Sequence, residues 1–304
     1  MLIARVQRQV GRFYDGGASG DAQTSELPPD RRRGPRIVLE RHTDAGLESF
    51  AMERRIAYDD RHLGELLVPA DSRTFRTDLT SVPALFTWLV PKTGAHLPAA
   101  LLHDGLVVDG DAGSESYVST QGHHVDRVEA DRIFRDAMAD TGTGLVRRWI
   151  VWSAVTLATL MVGRDLPWSS ATTWRHRAAV TVTVVCIAVL GYSATADLFD
   201  VSWPGTFALP WMGDRPWWAE LLGGLAGAVA IPVALGLLWG RFWKAGAIVG
   251  VLLAVLLHVT LALAVVAGAY VVVERAATRW PAATAALAAV VVVVAVGVTV
   301  ALSS

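Results

Sequence analysis

Residues 246–273 read GAIVGVLLAVLLHVTLALAVVAGAYVVV, a run without a single Asp, Glu, Lys or Arg. A helix rises about 1.5 Å per residue, so roughly 20 apolar residues cross the ~30 Å hydrocarbon core of a bilayer. This run exceeds that length, so it predicts a membrane span with tilt or protruding ends. Three more stretches qualify by the same rule: 178–196 (AAVTVTVVCIAVLGYSATA), 219–240 (AELLGGLAGAVAIPVALGLLWG) and 282–302 (AATAALAAVVVVVAVGVTVAL). Together they predict an all-α four-helix transmembrane domain over 166–304. A shorter apolar stretch, 149–162, is flanked by Arg147, Arg148 and Arg164. It is too short to span and reads as the last helix of the preceding domain, lying on the membrane surface.

The rest of the composition fits a chain in two solvents. Of 304 residues 53% are hydrophobic and only 18% charged, against about 25% charged in soluble domains. The Arg, Asp and Glu residues concentrate in residues 1–150. A net charge of −1 gives no electrostatic basis for a general nucleic-acid binder, so no nucleic-acid partner is expected. Cys186 is the single cysteine, so neither an intrachain disulfide nor a cysteine zinc site can form. The opening MLIARVQRQVGRFYDGG lacks the apolar core of a signal peptide.

Basic residues near the span ends set the expected orientation. Arg164, Arg175 and Arg177 precede the first span, and Arg241 and Lys244 separate the second from the third. The loop 197–218 holds Asp197, Asp200 and Asp214 with Arg215. Both termini are therefore expected in the cytoplasm of a multi-pass cell-membrane protein, with Arg275 and Arg279 counting against it. Seven tryptophans, among them Trp203, Trp217, Trp218 and Trp243, fall at span ends, where an indole can be half wet. His258 lies deep in the third span; a neutral imidazole bonded to a neighbouring helix is the plainer reading and a functional group the sharper one. Gly223, Gly227 and Gly236 suit close helix packing. The expected partners are the bilayer itself and further copies of the chain, meeting through the spans.

Residues 14–35, YDGGASGDAQTSELPPDRRRGP, are rich in Gly, Pro and charge and predict a flexible tether, after a short basic amphipathic helix over 1–13. The tether and helix together make an N-terminal segment, 1–35. Strand-like pieces follow at 36–40, 49–58 and 65–69, then helical pattern beyond Pro83, so 36–165 reads as an α+β domain with a small antiparallel sheet. PAALLHDGLV, 98–107, is apolar nearly all round, which predicts a buried helix interrupted by His103 and Asp104. Buried without partners, those two groups cost several kcal/mol, so they must be bonded, metal-bound or open to a cleft. VDRVEADRIFRDAMAD, 125–140, has helical period, with Ile133, Phe134, Ala137 and Met138 as its apolar stripe and Asp131 at the stripe's edge.

The runs VPADSRTFRTDLTSVPALF (68–86), HLPAALLHD (96–104) and EADRIFRDAM (129–138) resemble, in this order, a family of small phage and prophage proteins classed as a domain of unknown function. That family reads approximately V-P-x-G-F-x-T-D-x-x-S-V-P, A-A-x-x-H-D-x-L-Y and A-D-x-x-F-x-x-A-M. The resemblance covers about 48–163, including the helix RRWIVWSAVTLATLMVG. Here Asp71, Ser72, Arg73 and Thr74 replace the family's Gly-type turn, and Gly105, Leu106 and Val107 replace its aromatic ending. The four spans lie outside the family's usual pattern.

The His-Asp pair on one helix with an Asp on the next is also similar to the site of secreted phospholipases of the A-two class. That resemblance implies His103 as general base, Asp104 as a calcium ligand and Asp131 as the carboxylate orienting the imidazole. The disulfides and glycine-rich calcium loop of those enzymes are missing. A second reading takes Asp78, His96, His103 and Asp104 as nitrogen and oxygen ligands for a zinc-type hydrolytic metal. His123 and His124 are candidates to join, although adjacent histidines in a polar loop are more often solvated. In a third reading Asp78 and Ser81 close a turn before Val82 and Pro83, and His103, Asp104 and Asp131 form a buried polar network. The domain is then a binding, structural or effector module on a membrane anchor. That module is the leading reading; the catalytic one, with His103 and Asp131 catalytic and a divalent cation at Asp104, Asp78 and His96, is its alternative.

Overall fold

The computed structural model describes residues 11–18, 27–44, 47–77, 94–107, 116–164, 166–213 and 215–282. The chain divides at Leu256 into two units, 1–255 and 256–304.

Among its described residues the first unit holds seven short strands, the last of them after the first helix: β1 (Phe13–Asp15), β2 (Leu39–Asp44), β3 (Leu47–Met52), β4 (Ile56–Asp60), β5 (Gly64–Val68), β6 (Arg76–Thr77) and β7 (Val118–Ser119). They form two antiparallel sheets, ordered β1-β4-β5-β7 and β2-β3-β6. The continuous strand pattern of 49–58 is thus two strands in different sheets, parted at Glu53 to Arg55. The 14–35 stretch is no free tether at its described ends. Tyr14 is buried, β1 pairs with β4, and Asp15 receives Arg54 Nη2 at 2.6 Å. Residues 1–10, where the amphipathic helix was expected, lie outside the described residues.

Helices α1 (Leu97–Val107), α2 (Arg127–Asp140) and α3 (Leu145–Val162) follow. Asp126 caps α2, its carboxylate accepting the amides of Val128 and Glu129 at 2.9 Å each, a bond typically contributing about 1 kcal/mol. The expected stripe Ile133, Phe134, Ala137 and Met138 is buried. It meets Leu101 and Leu102 of α1 and Tyr58, Leu66 and Val68 of the sheet in one apolar core. Each such side chain contributes roughly 1.5–3 kcal/mol on burial.

That core continues past the first three helices. Trp152 and Leu160 of α3 join Ala179 and Val180 of α4 (Ser170–Leu198), and with them Trp239, Phe242 and Ala245. Helix α5 (Trp217–Gly236) runs through a 3-10 stretch, Leu237–Phe242, into α6 (Trp243–Val255). Gly240 has φ +61°, a conformation glycine reaches at little cost, and there the chain folds back so that α5 and α6 lie together. The contact is close: a Cβ on Gly236 would stand 2.6 Å from the Ala247 nitrogen. Gly223 and Gly227 pack against Trp211 of the same chain. Trp239 is fully buried and donates Nε1–H to the Thr183 hydroxyl at 3.1 Å.

Among the described residues three stretches are long and apolar enough to cross a membrane: Leu145–Val162, Ser170–Leu198 and Trp217–Val255. They differ from the expected four. The helix over 149–162 starts earlier, at Leu145, and so reaches spanning length. The 246–273 run is divided between α6 and α7 (Leu257–Arg279) by a break at Leu256, which nothing in the neighbouring residues explains. The run 282–302 lies outside the described residues from 283 onward, as does the side chain of His258. Outward-facing Val182, Val185 and Val189 on α4, and Leu222, Leu225 and Val229 on α5, are exposed; contiguous apolar surface of this kind needs a cover. Helix α7, in the second unit, exposes Val265, Val266, Val272 and Val273.

Candidate functional site

The buried face of α1 carries the first group of interest. Helix α1 approaches the sheet so closely that a Cβ on Gly105 would stand 2.1 Å from Val68 Cγ1. Position 105 therefore has no room for a side chain, whereas the family's aromatic ending falls at Val107. With the helix seated, His103 points at α2, where its Nε2 lies 2.9 Å from Asp131 Oδ1. Its ring stacks on Phe134 at 4.7 Å between centroids, tilted by 27°. The two side chains are 10% and 4% exposed, so the bond forms in a largely dry environment, and in the tautomer that donates Nε2–H to the carboxylate Nδ1 keeps its lone pair. No described group bonds that Nδ1. The arrangement can accept a proton from a water or hydroxyl reaching Nδ1, and it can equally lock α1 to α2.

Asp104 turns the other way and receives the Thr77 hydroxyl of β6 at 2.5 Å. Ser116 Oγ donates to the Gly105 carbonyl at 2.7 Å, and Tyr117 OH accepts the Val125 amide at 2.7 Å. His96 is buried at the entry to α1, its carbonyl accepting the Ala100 amide at 2.9 Å. Asp78 lies outside the described residues. His123 and His124 are exposed and line a shallow cleft of about 250 Å³ with Tyr117, Val118, Ser119 and Gly122, a cleft His103 does not enter. Among the described residues no three His, Cys, Asp or Glu side chains are grouped to hold a metal ion.

Helix α2 is fixed from its outer side by charge. Arg132 spans Asp60, Glu129 and Asp136 at 2.9, 2.8 and 3.1 Å, and Asp140 accepts Arg61 and the Tyr58 hydroxyl at 2.6 and 2.8 Å. Burial alone pushes the Asp60 carboxyl up. The Arg132 guanidinium and the amides of His62 and Leu63 outweigh it and hold the group below its ordinary value. Burial, then Asp140, pushes the Tyr58 phenol well above its usual range. Glu129 and Asp136 sit at helical spacing from Arg132, whereas Asp60, Arg61 and Tyr58 come from the distant β4 region, where no local motif in the sequence marks them.

Two helices thus present a buried His-Asp pair from a segment with known relatives. Residues 50–155 match the family model described as protein of unknown function (DUF1353). The matched segment runs from β3 to the middle of α3 and contains His103, Asp104 and Asp131. No curated protein and no solved structure matches the chain.

Proposed function

We propose that this chain is a multi-pass membrane protein that holds a domain of the matched family at the cytoplasmic face, where the domain acts as a binding or effector module. The observation that carries this reading is α3. Its first half belongs to the matched segment, yet it packs on α2 on one side and on α4 and α6 on the other. A shared helix couples the domain rigidly to the apolar bundle. The orientation is supported by placement: Arg175 Nη2 lies 3.4 Å from where a Cβ on Gly240 would stand, which brings the start of α4 and the α5–α6 turn, with Arg241 and Lys244, to one end. Basic residues favour the cytoplasmic side. The motif resemblance adds a phage or prophage setting, and self-association through the exposed faces of α4 and α5 completes the proposal.

The test uses single cysteines in a Cys186→Ser background and a membrane-impermeant maleimide on intact bacteria. Phe207→Cys should label from outside, and Ser119→Cys only after permeabilisation. Labelling of Ser119→Cys in intact cells would reverse the orientation.

The His103–Asp131 bond favours a second reading, a lipid hydrolase. His103 Nδ1 would take a proton from water as the oxygen attacks an ester carbonyl, and return it to the leaving alcohol. Matched expression of the parent and His103→Ala should then raise lysophospholipid and free fatty acid for the parent alone. No rise in either leaves the module without hydrolase activity.

A further inference from the structure

We propose that Arg175 and Arg241, walled by Trp168 and Phe242, form a headgroup site for an anionic phospholipid where α4 begins and α5 turns into α6. The proposal rests on the membrane reading above and adds a specific ligand to it. Arg241 places its guanidinium carbon 4.9 Å from the Trp168 ring centre and 4.7 Å from that of Phe242. Arg175 lies over the same turn, its Nη2 3.4 Å from the Cβ position at Gly240. Among the described residues neither guanidinium pairs with a carboxylate. Two like charges held beside one turn repel, and a phosphodiester that accepts both forks removes that repulsion.

A second observation points into the same place. His176 is 3% exposed, and its Nδ1 is buried without a partner among the described residues. The imidazole meets the edges of Trp168 at 5.4 Å and Phe242 at 5.5 Å. A polar nitrogen beside two rings that also carry Arg241 is poorly satisfied by the protein alone, and in the tautomer with the proton on Nδ1 a phosphate oxygen reaching it supplies an acceptor. The surroundings favour a lipid over a free anion. Leu237 and Leu238, on the turn itself, are 63% and 50% exposed, so acyl chains have apolar surface directly below the headgroup. Trp174, next to Arg175 in the chain, is exposed with Arg177 over its ring at 5.6 Å, and indoles favour the headgroup level.

The test is native mass spectrometry of the full chain in a neutral detergent, with equimolar phosphatidylglycerol and phosphatidylcholine of the same acyl chains. The parent should retain phosphatidylglycerol in preference. Each basic group near a membrane surface contributes about five-fold in lipid affinity. Arg175→Gln with Arg241→Gln should therefore lower retention roughly 30-fold, and Arg279→Gln should leave it unchanged. Should the double variant fail to fold, Arg175→Gln alone, at an exposed side chain, should lower it about five-fold. Equal retention of the two lipids, or unchanged phosphatidylglycerol in these variants, overturns the site. Displacement of the lipid by inorganic phosphate alone also overturns it, in favour of a free anion. Carbonate washing of membranes from expressing cells separates the two failures. A chain that stays in the membrane without lipid preference loses only this site, and a chain released by carbonate loses the membrane reading and the site together.

Discussion

Replacing Asp131 probes the pair at the centre of the domain. The bond to His103 is 2.9 Å long, and both side chains are at least nine-tenths buried. Asp131→Ala strands the His103 Nε2–H in an apolar setting against Phe134, which costs about 2 kcal/mol. Asp131→Asn keeps the shape and an acceptor oxygen but loses the charge, so about 1 kcal/mol is lost. His103→Leu with Asp131→Leu removes both polar groups, and it should cost less than Asp131→Ala alone. Hydrogen exchange by mass spectrometry on the full chain reads these differences locally, in the peptides of α1 and α2. With about 1.4 kcal/mol per factor of ten, exchange should quicken roughly 30-fold for Asp131→Ala and about five-fold for Asp131→Asn. Exchange in α1 unchanged by Asp131→Ala would show that the pair contributes nothing to holding the helices, and the packing account of the site would fail. If hydrolysis is observed, Asp131→Asn separates the roles: activity falling far more than five-fold means the carboxylate orients the imidazole for chemistry.

Gly105→Ala should destabilise the parent by about 1–2 kcal/mol, since overpacking costs more than the helix propensity it gains. In a Val68→Ala background the same change should become neutral or stabilising, because both Val68 γ-methyl groups near the Gly105 Cβ position are gone. A destabilisation of equal size in both backgrounds would contradict the close approach, measured as urea midpoints in detergent. For Asp60, the folded carboxyl is held below its ordinary value. Its contribution is then complete above the unfolded pKa of about 3.9 and is lost as pH falls through the lower folded value. Hydrogen exchange at the β4–α2 contact should rise below about pH 4 in the parent and lose that step in Asp60→Asn, whereas identical profiles would contradict the Arg132 pairing.

The N-terminal part was legible where helical period and burial reinforced each other. An apolar helix interrupted by His103, facing an amphipathic helix with Asp131 at its stripe's edge, leaves few other ways to satisfy two buried polar groups. The structure joins them. What the pattern did not carry was contact between distant segments. Nothing local ties Thr77 to Asp104, Asp60 to Arg132, or Val68 to Gly105. The strand β1 is three residues inside a Gly- and Pro-rich tract, too short for a period of two to register. The tract 49–58 looks like one strand because side-chain alternation does not reveal which sheet a residue joins.

In the apolar part the sequence separates 219–240 from 246–273 at Arg241 and Lys244, and the chain reverses there. Trp217–Val255 is apolar almost throughout, and its reversal falls at a glycine with φ +61° beside those two cations. Resolved at that turn, α5 with 20 residues is about 30 Å long and matches the hydrocarbon core. Helix α6 has 13 residues and reaches only about 20 Å. Within the first unit α6 alone is therefore shorter than a crossing, and the 28-residue run that first suggested a membrane protein is divided between two helices. Helix α3 begins four residues ahead of Trp149. Two of those are Arg147 and Arg148, so with its charged first turn outside a bilayer the remaining apolar part is shorter than the roughly 20 residues of a crossing. That leaves an α3 anchored at its start by arginine, while its buried face stays committed to α2 and α6.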